Sequence, residues 1–341
     1  MQLCFSILYL FLACMAGITC SETPIYKWTL ATNYNINGTA LVYPFMQANR
    51  FSPENNLKSD SVIIPLKRAG RLFLIEAKVD NEIGNLVFDT GANGLVFNST
   101  YFRNHNKTRA ASSNGIMGDA GTVEAVTLDH IEFAGLSYKK ITADMTNLGP
   151  IENRRGVKIL GLIGFNMFRD FEILIDSKNN QLKLFKIDKS GNRVNSNKST
   201  FYPDQTQKFR TSAASNIVFL EGNINGKSLT FCFDTGAETN VISSYSGKAV
   251  LNTLTITRRA GLRGVGGVGS DVLYGVMNDF LIGKRQIKGM ETIVSNLGAL
   301  SEAYGTKIDG MLGFNFMEQG VLCINFQKGQ FGIQFTKGEL E

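Results

Sequence analysis

The chain has 341 residues, of which 43% are hydrophobic and 19% are charged, and its formal net charge is +6. This length leaves room for two domains of ordinary size, and the composition excludes an intrinsically disordered chain. The basic residues are scattered and do not alternate with aromatic residues, so we expect a mildly basic surface and no nucleic-acid partner.

Residues 1–20 are typical of an export leader. From residue 3 to residue 18 the chain is almost wholly apolar, although no Lys or Arg precedes this run and it is short for a bilayer span. A cysteine that closes the leader, Cys20 or less favourably Cys14, resembles the lipid-attachment site of bacterial lipoproteins. We expect an exported protein, periplasmic or at the cell surface, and leave open a membrane tether through a lipid on that cysteine.

Residues 21–60 form an N-terminal extension with no counterpart later in the chain. An added strand, a prosegment that covers the functional site and a flexible tether are all compatible with it, and we favour an ordered extension. Beyond the leader only Cys232 and Cys323 remain, and both lie in apolar runs where buried thiols are common. A disulfide framework is therefore excluded, whereas pairing of these two cysteines stays open.

From residue 61 onward the chain contains an internal duplication. Residues 88–92, with the sequence Phe-Asp-Thr-Gly-Ala, recur as residues 233–237, and residues 159–166 match residues 308–315. A polar, loop-like stretch separates the two copies. The predicted boundaries are lobe 1 at 61–187, a linker at 188–207 and lobe 2 at 208–337.

Short apolar runs broken by Gly, Asn and Asp predict strands throughout both copies, and helix-period stretches are scarce. The strands predicted in the first copy include 73–79, 86–88, 123–128 and 173–175. Hairpin turns are predicted at 180–181 and 328–329, and one short helix after each of 165–166 and 314–315. These patterns predict an all-β fold of two similar lobes.

Asp89 and Asp234 are the candidate catalytic residues, because each follows an apolar strand in the same place of its repeat. One Asp-Thr-Gly alone is equally compatible with an ordinary turn after a strand. Two equivalent acids can instead face one another across an internal two-fold. Such a pair shares one proton, so one carboxylate can activate water while the other donates to a carbonyl oxygen.

The neighbours of the two acids have supporting roles in this hypothesis. Gly91 and Gly236 allow the backbone to turn tightly beneath the acids. Thr90 and Thr235 provide hydroxyl groups that can tie the two loops together by hydrogen bonds.

Two Gly-rich segments, residues 115–121 and 264–269, follow the acids at equivalent positions. Neither opens a helix or precedes Lys-Ser/Thr, which argues against phosphate binding. A mobile hairpin tip that covers the site is favoured, and a plain hairpin stays open.

Other catalytic classes lack their residues. The chain has only two histidines, His105 and His130, and no His-Glu-x-x-His or Cys/His cluster for zinc, so no metal is expected. It has no Gly-x-Ser-x-Gly elbow for a serine nucleophile. No nucleotide-binding fingerprint is present, and no cofactor is expected.

The order Asp-Thr-Gly-Ala, Gly-rich hairpin and apolar-x-Gly-apolar-apolar-Gly resembles the retropepsin-like aspartic peptidases over residues 61–337. The resemblance implies two pseudo-two-fold-related β-barrel lobes with a cleft between them, the fused copies standing in for a homodimer. It implies Asp89 and Asp234 as the catalytic pair, flaps at 114–123 and 263–272, and supporting segments at 159–164 and 308–313. The substrate-binding and flap residues it implies are Ala92, Asn93, Ala237, Glu238, Gly115, Gly118, Gly264, Gly266 and Gly267.

The two copies also depart from one another. In the first flap Met117 and Ala120 stand where the second has Gly266 and Gly269. Asn93 and Glu238 differ after the shared Ala, so the two halves of the cleft need not be alike.

The sequence therefore predicts an exported, monomeric aspartic endopeptidase that acts on peptide or protein substrates without metal or cofactor. Two alternatives remain at this stage. One is a non-catalytic peptide-binding protein on the same fold, and the other is a precursor in which residues 23–60 inhibit the cleft.

Overall fold

The computed structural model describes residues 52–54, 59–92, 94–105, 107–109, 124–194, 201–211, 217–263 and 269–336. The strands of these residues are β1 (Ser61–Pro65), β2 (Lys67–Ala69), β3 (Leu72–Val79), β4 (Glu82–Phe88), β5 (Leu95–Asn98), β6 (Lys107–Arg109), β7 (Glu124–Phe133), β8 (Leu136–Thr146), β9 (Ile159–Ile163), β10 (Phe171–Asp176), β11 (Gln181–Lys186), β12 (Gln205–Lys208), β13 (Arg210–Thr211), β14 (Val218–Ile224), β15 (Lys227–Phe233), β16 (Asn240–Ser243), β17 (Leu254–Arg263), β18 (Gly269–Met277), β19 (Phe280–Ile282), β20 (Arg285–Ile287), β21 (Met290–Ser295), β22 (Gly310–Leu312), β23 (Gly320–Asn325) and β24 (Gln330–Phe335).

The helices of the described residues are short. They are Ser99–Phe102, Gly149–Arg155, Lys248–Leu251, Gly298–Tyr304 and Phe314–Met317, with a 3₁₀ helix at Phe165–Phe168. Strands thus dominate the structure, which confirms the predicted all-β fold. None of these helices has the length and hydropathy to cross a membrane.

Each lobe is built around one mostly antiparallel sheet. In lobe 1 the strand order is β2-β3-β4-β9-β5-β8-β7-β6, and an additional pairing between β3 and β7 closes a six-stranded barrel. In lobe 2 the order is β17-β18-β21-β16-β22-β15-β14-β19-β20. Beyond β14 the sheet continues into β19 and β20, and it has the form of a half-barrel. In each lobe the strand that precedes the candidate acid has a parallel neighbour, β9 beside β4 and β22 beside β15.

The apolar runs of the sequence contribute side chains to two apolar clusters, one on each face of the sheet. In β3, Phe73 and Ile75 pack into the main core, whereas Leu72 and Leu74 pack into a second cluster on the other face of the sheet. Because both faces are covered over residues 72–75, this half of the strand is a continuous apolar run, whereas exposed Glu76 and Lys78 alternate with buried Ala77 and Val79 in the second half. The second cluster of lobe 2 lies in the equivalent position, around Ile217 and Phe219.

A third sheet joins the lobes. Its order is β1-β11-β10-β23-β24-β12, so each lobe contributes three strands. The central pair is antiparallel and sets Ile173 opposite Ile324 and Ile175 opposite Leu322. The outermost strand of the second half, β12, begins inside the polar stretch 188–207. Cys323 and Cys232 are both buried and are not joined in a disulfide.

Phenylalanine rings fill the junction between lobe 2 and the joining sheet. Phe316 is fully buried, and its ring contacts those of Phe233, Phe280 and Phe331. Phe331 belongs to β24, so this cluster fixes the half-barrel to the joining sheet.

We expect Phe316→Ala to lower the free energy of unfolding by about 3–5 kcal/mol, because it removes a buried ring and leaves a cavity. Denaturant titration of wild type and variant measures this difference. The matched control is Tyr202→Ala, since Tyr202 is 73% exposed and its loss should change stability by less than about 0.5 kcal/mol. Equal midpoints for the two variants would contradict the packing described.

Candidate active site

The two candidate acids are placed by equivalent strand pairs. Asp89 follows β4, and its backbone N–H donates to the carbonyl of Ile163 at 3.0 Å. Asp234 follows β15, and its backbone N–H donates to the carbonyl of Leu312, also at 3.0 Å. Ile163 and Leu312 are the last residues of β9 and β22, the parallel neighbours of β4 and β15. The same local structure therefore orients the acid in each lobe.

The two carboxyl groups lie against each other at the junction of the lobes. They are hydrogen-bonded to one another, and each also accepts a bond from its own loop. The backbone N–H of Gly91 donates to Asp89 Oδ1 at 2.9 Å, and that of Gly236 donates to Asp234 Oδ1 at 2.8 Å. The structure therefore brings together the two acids that the repeat indicated.

Glycine is required beside each acid because the opposite carboxyl group occupies the space of a side chain. A Cβ built on Gly91 would lie 2.7 Å from Asp234 Cγ, and one built on Gly236 would lie 2.7 Å from Asp89 Cγ. Real Cβ atoms do not approach other heavy atoms so closely. The sequence assigned these glycines to a tight turn, and the close approach across the lobes is a second reason for them.

The two threonines tie the loops together through four buried hydrogen bonds. The Thr90 hydroxyl accepts from the backbone N–H of Thr235 at 2.9 Å and donates to the carbonyl of Phe233 at 3.1 Å. The Thr235 hydroxyl accepts from the N–H of Thr90 at 3.0 Å and donates to the carbonyl of Phe88 at 2.7 Å. Each hydroxyl thus satisfies one donor and one acceptor of the opposite lobe.

Burial shifts the protonation of the pair. The pKa of Asp89 is raised well above its ordinary 3.8 by burial, by the nearby charge of Asp234 and by the hydrogen bond between them. The pKa of Asp234 is also raised, mainly by burial. Because a second negative charge is costly at this spacing, the pair retains one proton at a pH where isolated carboxyl groups are ionised.

Two helices reach across the lobes to the acid loops, which the sequence did not indicate. Arg155 ends helix Gly149–Arg155, and its guanidinium binds the carboxylate of Glu238 in the other lobe. Tyr304 ends the equivalent helix of lobe 2, and its hydroxyl donates to the carbonyl of Gly91 at 3.4 Å. The only sequence signal was that an offset of 149 aligns these two positions.

The charges of the Arg155–Glu238 pair lie within the junction. The two side chains are only 15% and 9% exposed. Arg71 of lobe 1 reinforces the contact by donating to the carbonyl of Glu238 at 3.2 Å, and it pairs with Glu291 at 2.6 Å. The carboxylate of Glu238, expected from the resemblance to meet substrate, is thus engaged by the opposite lobe.

The remaining predicted residues divide into two groups. Ala92 and Ala237 are buried, and the backbone N–H of each donates to the backbone carbonyl of the acid in its own loop. The flap segments 114–123 and 263–272 are described only at 263 and 269–272, the ends of β17 and β18. The predicted residues that lie outside the described residues are Asn93, Gly115, Gly118, Gly264, Gly266 and Gly267.

Within the described part of the chain, no group of three or more His, Cys, Asp or Glu side chains could hold a metal ion. The two histidines lie elsewhere in lobe 1. His105 pairs with Asp80 at 3.4 Å, and His130 Nε2 is 2.8 Å from the hydroxyl of Ser137.

Among known protein families, one match falls within the second repeat. Residues 220–316 match a family model described as aspartyl protease. The matched segment contains Asp234-Thr235-Gly236 and the apolar segment 308–313, so the resemblance to aspartyl proteases that the sequence indicated is confirmed. No curated protein matches the chain. Among solved structures, basic 7S globulin from soybean is similar at 11% identity and a TM-score of 0.44, over 80% of this chain and 94% of that one.

Thr90→Val should lower the free energy of unfolding by about 2–6 kcal/mol. It leaves the N–H of Thr235 and the carbonyl of Phe233 buried without a partner, at about 1–3 kcal/mol for each. Denaturant titration measures the loss. Thr90→Ser is the matched control, since it keeps the hydroxyl and should retain most of the stability; equal losses in Val and Ser variants would show that the hydrogen bonds do not matter.

The raised pKa of the acid pair predicts how stability depends on pH. In the unfolded chain both acids ionise near pH 3.8, whereas the folded pair keeps its proton to higher pH. The folded state thus binds more protons in this window, so its free energy of unfolding falls as pH rises from about 4.

Asp89→Asn removes one of the two charges, so it should gain stability relative to wild type as pH rises. We expect a relative gain on the order of 1 kcal/mol between pH 4 and 7, where one pKa unit corresponds to about 1.4 kcal/mol. Denaturant titrations at several pH values measure it. Asp129→Asn, at an exposed position of β7, is the control and should show no such trend; parallel curves for wild type and Asp89→Asn would contradict the prediction.

Proposed function

We propose that this chain, whose resemblance to the aspartyl proteases extends to the paired acid loops, is an aspartic endopeptidase. Its substrates are peptides or proteins, and it hydrolyses their peptide bonds with water held between Asp89 and Asp234. One observation carries the proposal: two repeats of one chain place their carboxyl groups in hydrogen-bonding contact at the junction of the lobes.

The chemistry follows from the shared proton. The ionised carboxylate takes a proton from the bridging water while the water oxygen bonds to the carbonyl carbon of the substrate. The protonated carboxyl group donates its proton to the carbonyl oxygen, so a neutral tetrahedral intermediate forms. When the C–N bond breaks, the amine nitrogen takes the proton from the carboxyl group that received one. The other carboxylate takes a proton from a hydroxyl of the intermediate as the carbonyl re-forms, so the pair returns to its shared-proton state.

The surroundings of the pair support this cycle. The reaction needs two carboxyl groups at fixed spacing, and the threonine hydrogen bonds hold the two loops in one geometry. It also needs one proton to stay on the pair at mildly acidic pH, which the raised pKa of both acids favours. The proposal includes no metal and no organic cofactor.

Asp89→Asn and Asp234→Asn should each lower kcat/KM for peptide hydrolysis by about a thousandfold or more, because neither acid alone can serve as both base and acid. Cleavage of a peptide library, followed by mass spectrometry, measures this loss. A transition-state inhibitor of aspartic peptidases should suppress the wild type, and Asp129→Asn should cleave normally. Turnover retained in either Asn variant, with the fold intact by circular dichroism, would refute the mechanism.

We also propose that the protein is exported and acts as a monomer. The apolar leader at residues 1–20 supports export, and the presence of both acids in one chain supports a monomer. On expression in a bacterium we expect the mature chain in the periplasmic or membrane fraction, with a mass that lacks the leader or carries a lipid on Cys20. Deletion of residues 2–20 is the control and should leave the protein in the cytoplasm; a full-length mass in the cytoplasm of cells with the intact chain would contradict export.

A further inference from the structure

Each lobe has a row of side chains that runs across its sheet from the strand before the acid. In lobe 2 the strand register aligns five residues side by side: Cys232, Met311, Val241, Ile293 and Tyr274. All of them belong to the second apolar cluster of that lobe, four of them buried and Tyr274 partly buried. This wall of the half-barrel is therefore apolar up to Tyr274, over whose ring the guanidinium of Arg258 lies at 4.1 Å from the centroid.

The equivalent row of lobe 1 ends differently. The same register aligns Val87, Leu162, Val96, Asp144 and Ala125. The first three belong to the second apolar cluster of lobe 1. At the fourth place a carboxylate stands where lobe 2 has Ile293, and at the fifth a methyl group stands where lobe 2 has Tyr274.

The side chain of Asp144 points away from the main core of lobe 1. Its neighbours in β8, Ala143 and Met145, both pack against that core. Since side chains alternate along a strand, Asp144 lies on the other face. Its register partner Val96 belongs to the cluster on that face. The carboxylate thus continues an apolar wall.

Asp144 has no hydrogen-bonding or ionic partner among the residues that the structure describes. It is half-buried, and burial raises its pKa to about 6. A partly buried carboxylate against apolar side chains is costly unless a complementary charge meets it. The register partner of Asp144 in β7 is Ala125, a small residue where the other lobe has Tyr274.

The distance between Asp144 and the acids indicates which part of a bound substrate Asp144 could contact. Val87 lies two residues before Asp89, and Asp144 lies three strands further across the sheet, or about 14 Å at 4.8 Å for each strand. An extended peptide covers this distance in about four residues at roughly 3.4 Å each. A substrate bound over the acids can therefore place a side chain near the scissile bond in reach of Asp144.

We propose that Asp144 forms a subsite for a Lys or Arg side chain of the substrate, on the side of the scissile bond that lobe 1 binds. The equivalent subsite of lobe 2, lined by Ile293 and Tyr274, takes an apolar side chain on the other side of that bond. The preferred substrate is then a peptide that is basic on one side of the cut and apolar on the other. This inference rests on the proposed function, whose site it extends.

The test compares paired peptides that differ only in Lys or norleucine at one position, with the pair moved through four positions on each side of the cut. Wild type should prefer Lys at one position on a single side. Asp144→Asn, which keeps the shape, should lower kcat/KM for the Lys peptide by about tenfold, or about 1.4 kcal/mol, and leave the norleucine peptide unchanged. Asp144→Ile, which copies lobe 2, should reverse the preference, whereas Asp129→Asn should keep it.

A binding measurement separates this inference from the proposed function. Non-cleavable analogues of the same peptide pair, with the scissile amide reduced, are titrated into Asp89→Asn protein with and without Asp144→Asn. Loss of the Lys preference on adding Asp144→Asn supports the subsite even if no peptide is ever cleaved. An unchanged ratio of Lys to norleucine affinities, or no preference for Lys at any position, overturns it. Absence of all turnover, with this binding pattern intact, would refute only the peptidase proposal.

Discussion

The reciprocal contact of the two acid loops is the constraint on which the rest of the structure depends. Two buried carboxyl groups in contact are unfavourable by themselves, because both are removed from water and their charges repel. Hydrogen bonds between the threonine hydroxyls and the opposite backbone hold them there nevertheless. The same closeness excludes any side chain at Gly91 and Gly236. The contact of the two acids thus explains both the proposed chemistry and the glycines beside them.

Contacts other than the threonine hydrogen bonds also hold the lobes in register. Three strands from each lobe form the joining sheet, and its antiparallel centre relates the lobes by an approximate two-fold. At the other end of the junction, Arg155 and Tyr304 each reach from a helix to the opposite acid loop. An error in the orientation of the lobes would therefore disturb both sets of contacts. The acids can be preorganised because the whole interface fixes them.

The two repeats are alike at the acid loops and differ in the residues around those loops. The Asp-Thr-Gly-Ala loops and the apolar segments behind them are equivalent in sequence and geometry. The helix ends differ, with a cation at Arg155 and a phenol at Tyr304. The rows beside the acids differ as well, with Asp144 opposite Ile293. The acid loops are thus symmetric and the residues around them are not, and this asymmetry is compatible with the proposed substrate, a peptide, which has a direction.

Features that depend on short-range pattern could be predicted from the residues alone. The repeated Asp-Thr-Gly-Ala loops, the strands that precede them and the turns at 180–181 and 328–329 follow from apolar periodicity and turn chemistry, which neighbouring residues specify. The identity of the two acids followed from the repeat alone. An all-β fold of two lobes also followed, because nearly every apolar run had the length of a strand.

Only the tertiary structure decided which distant residues meet. Closure of lobe 1 by β3 and β7, set against the half-barrel of lobe 2, depends on strand pairing that no local pattern encodes. The partnership of Arg155 with Glu238 joins residues 83 positions apart, and in the sequence Arg155 was one of many scattered cations. The place of Asp144 in an apolar wall depends on the register of β8 beside β5. A shift of one residue would turn that carboxylate to the other face of the sheet, so its environment could be known only once the strands were paired.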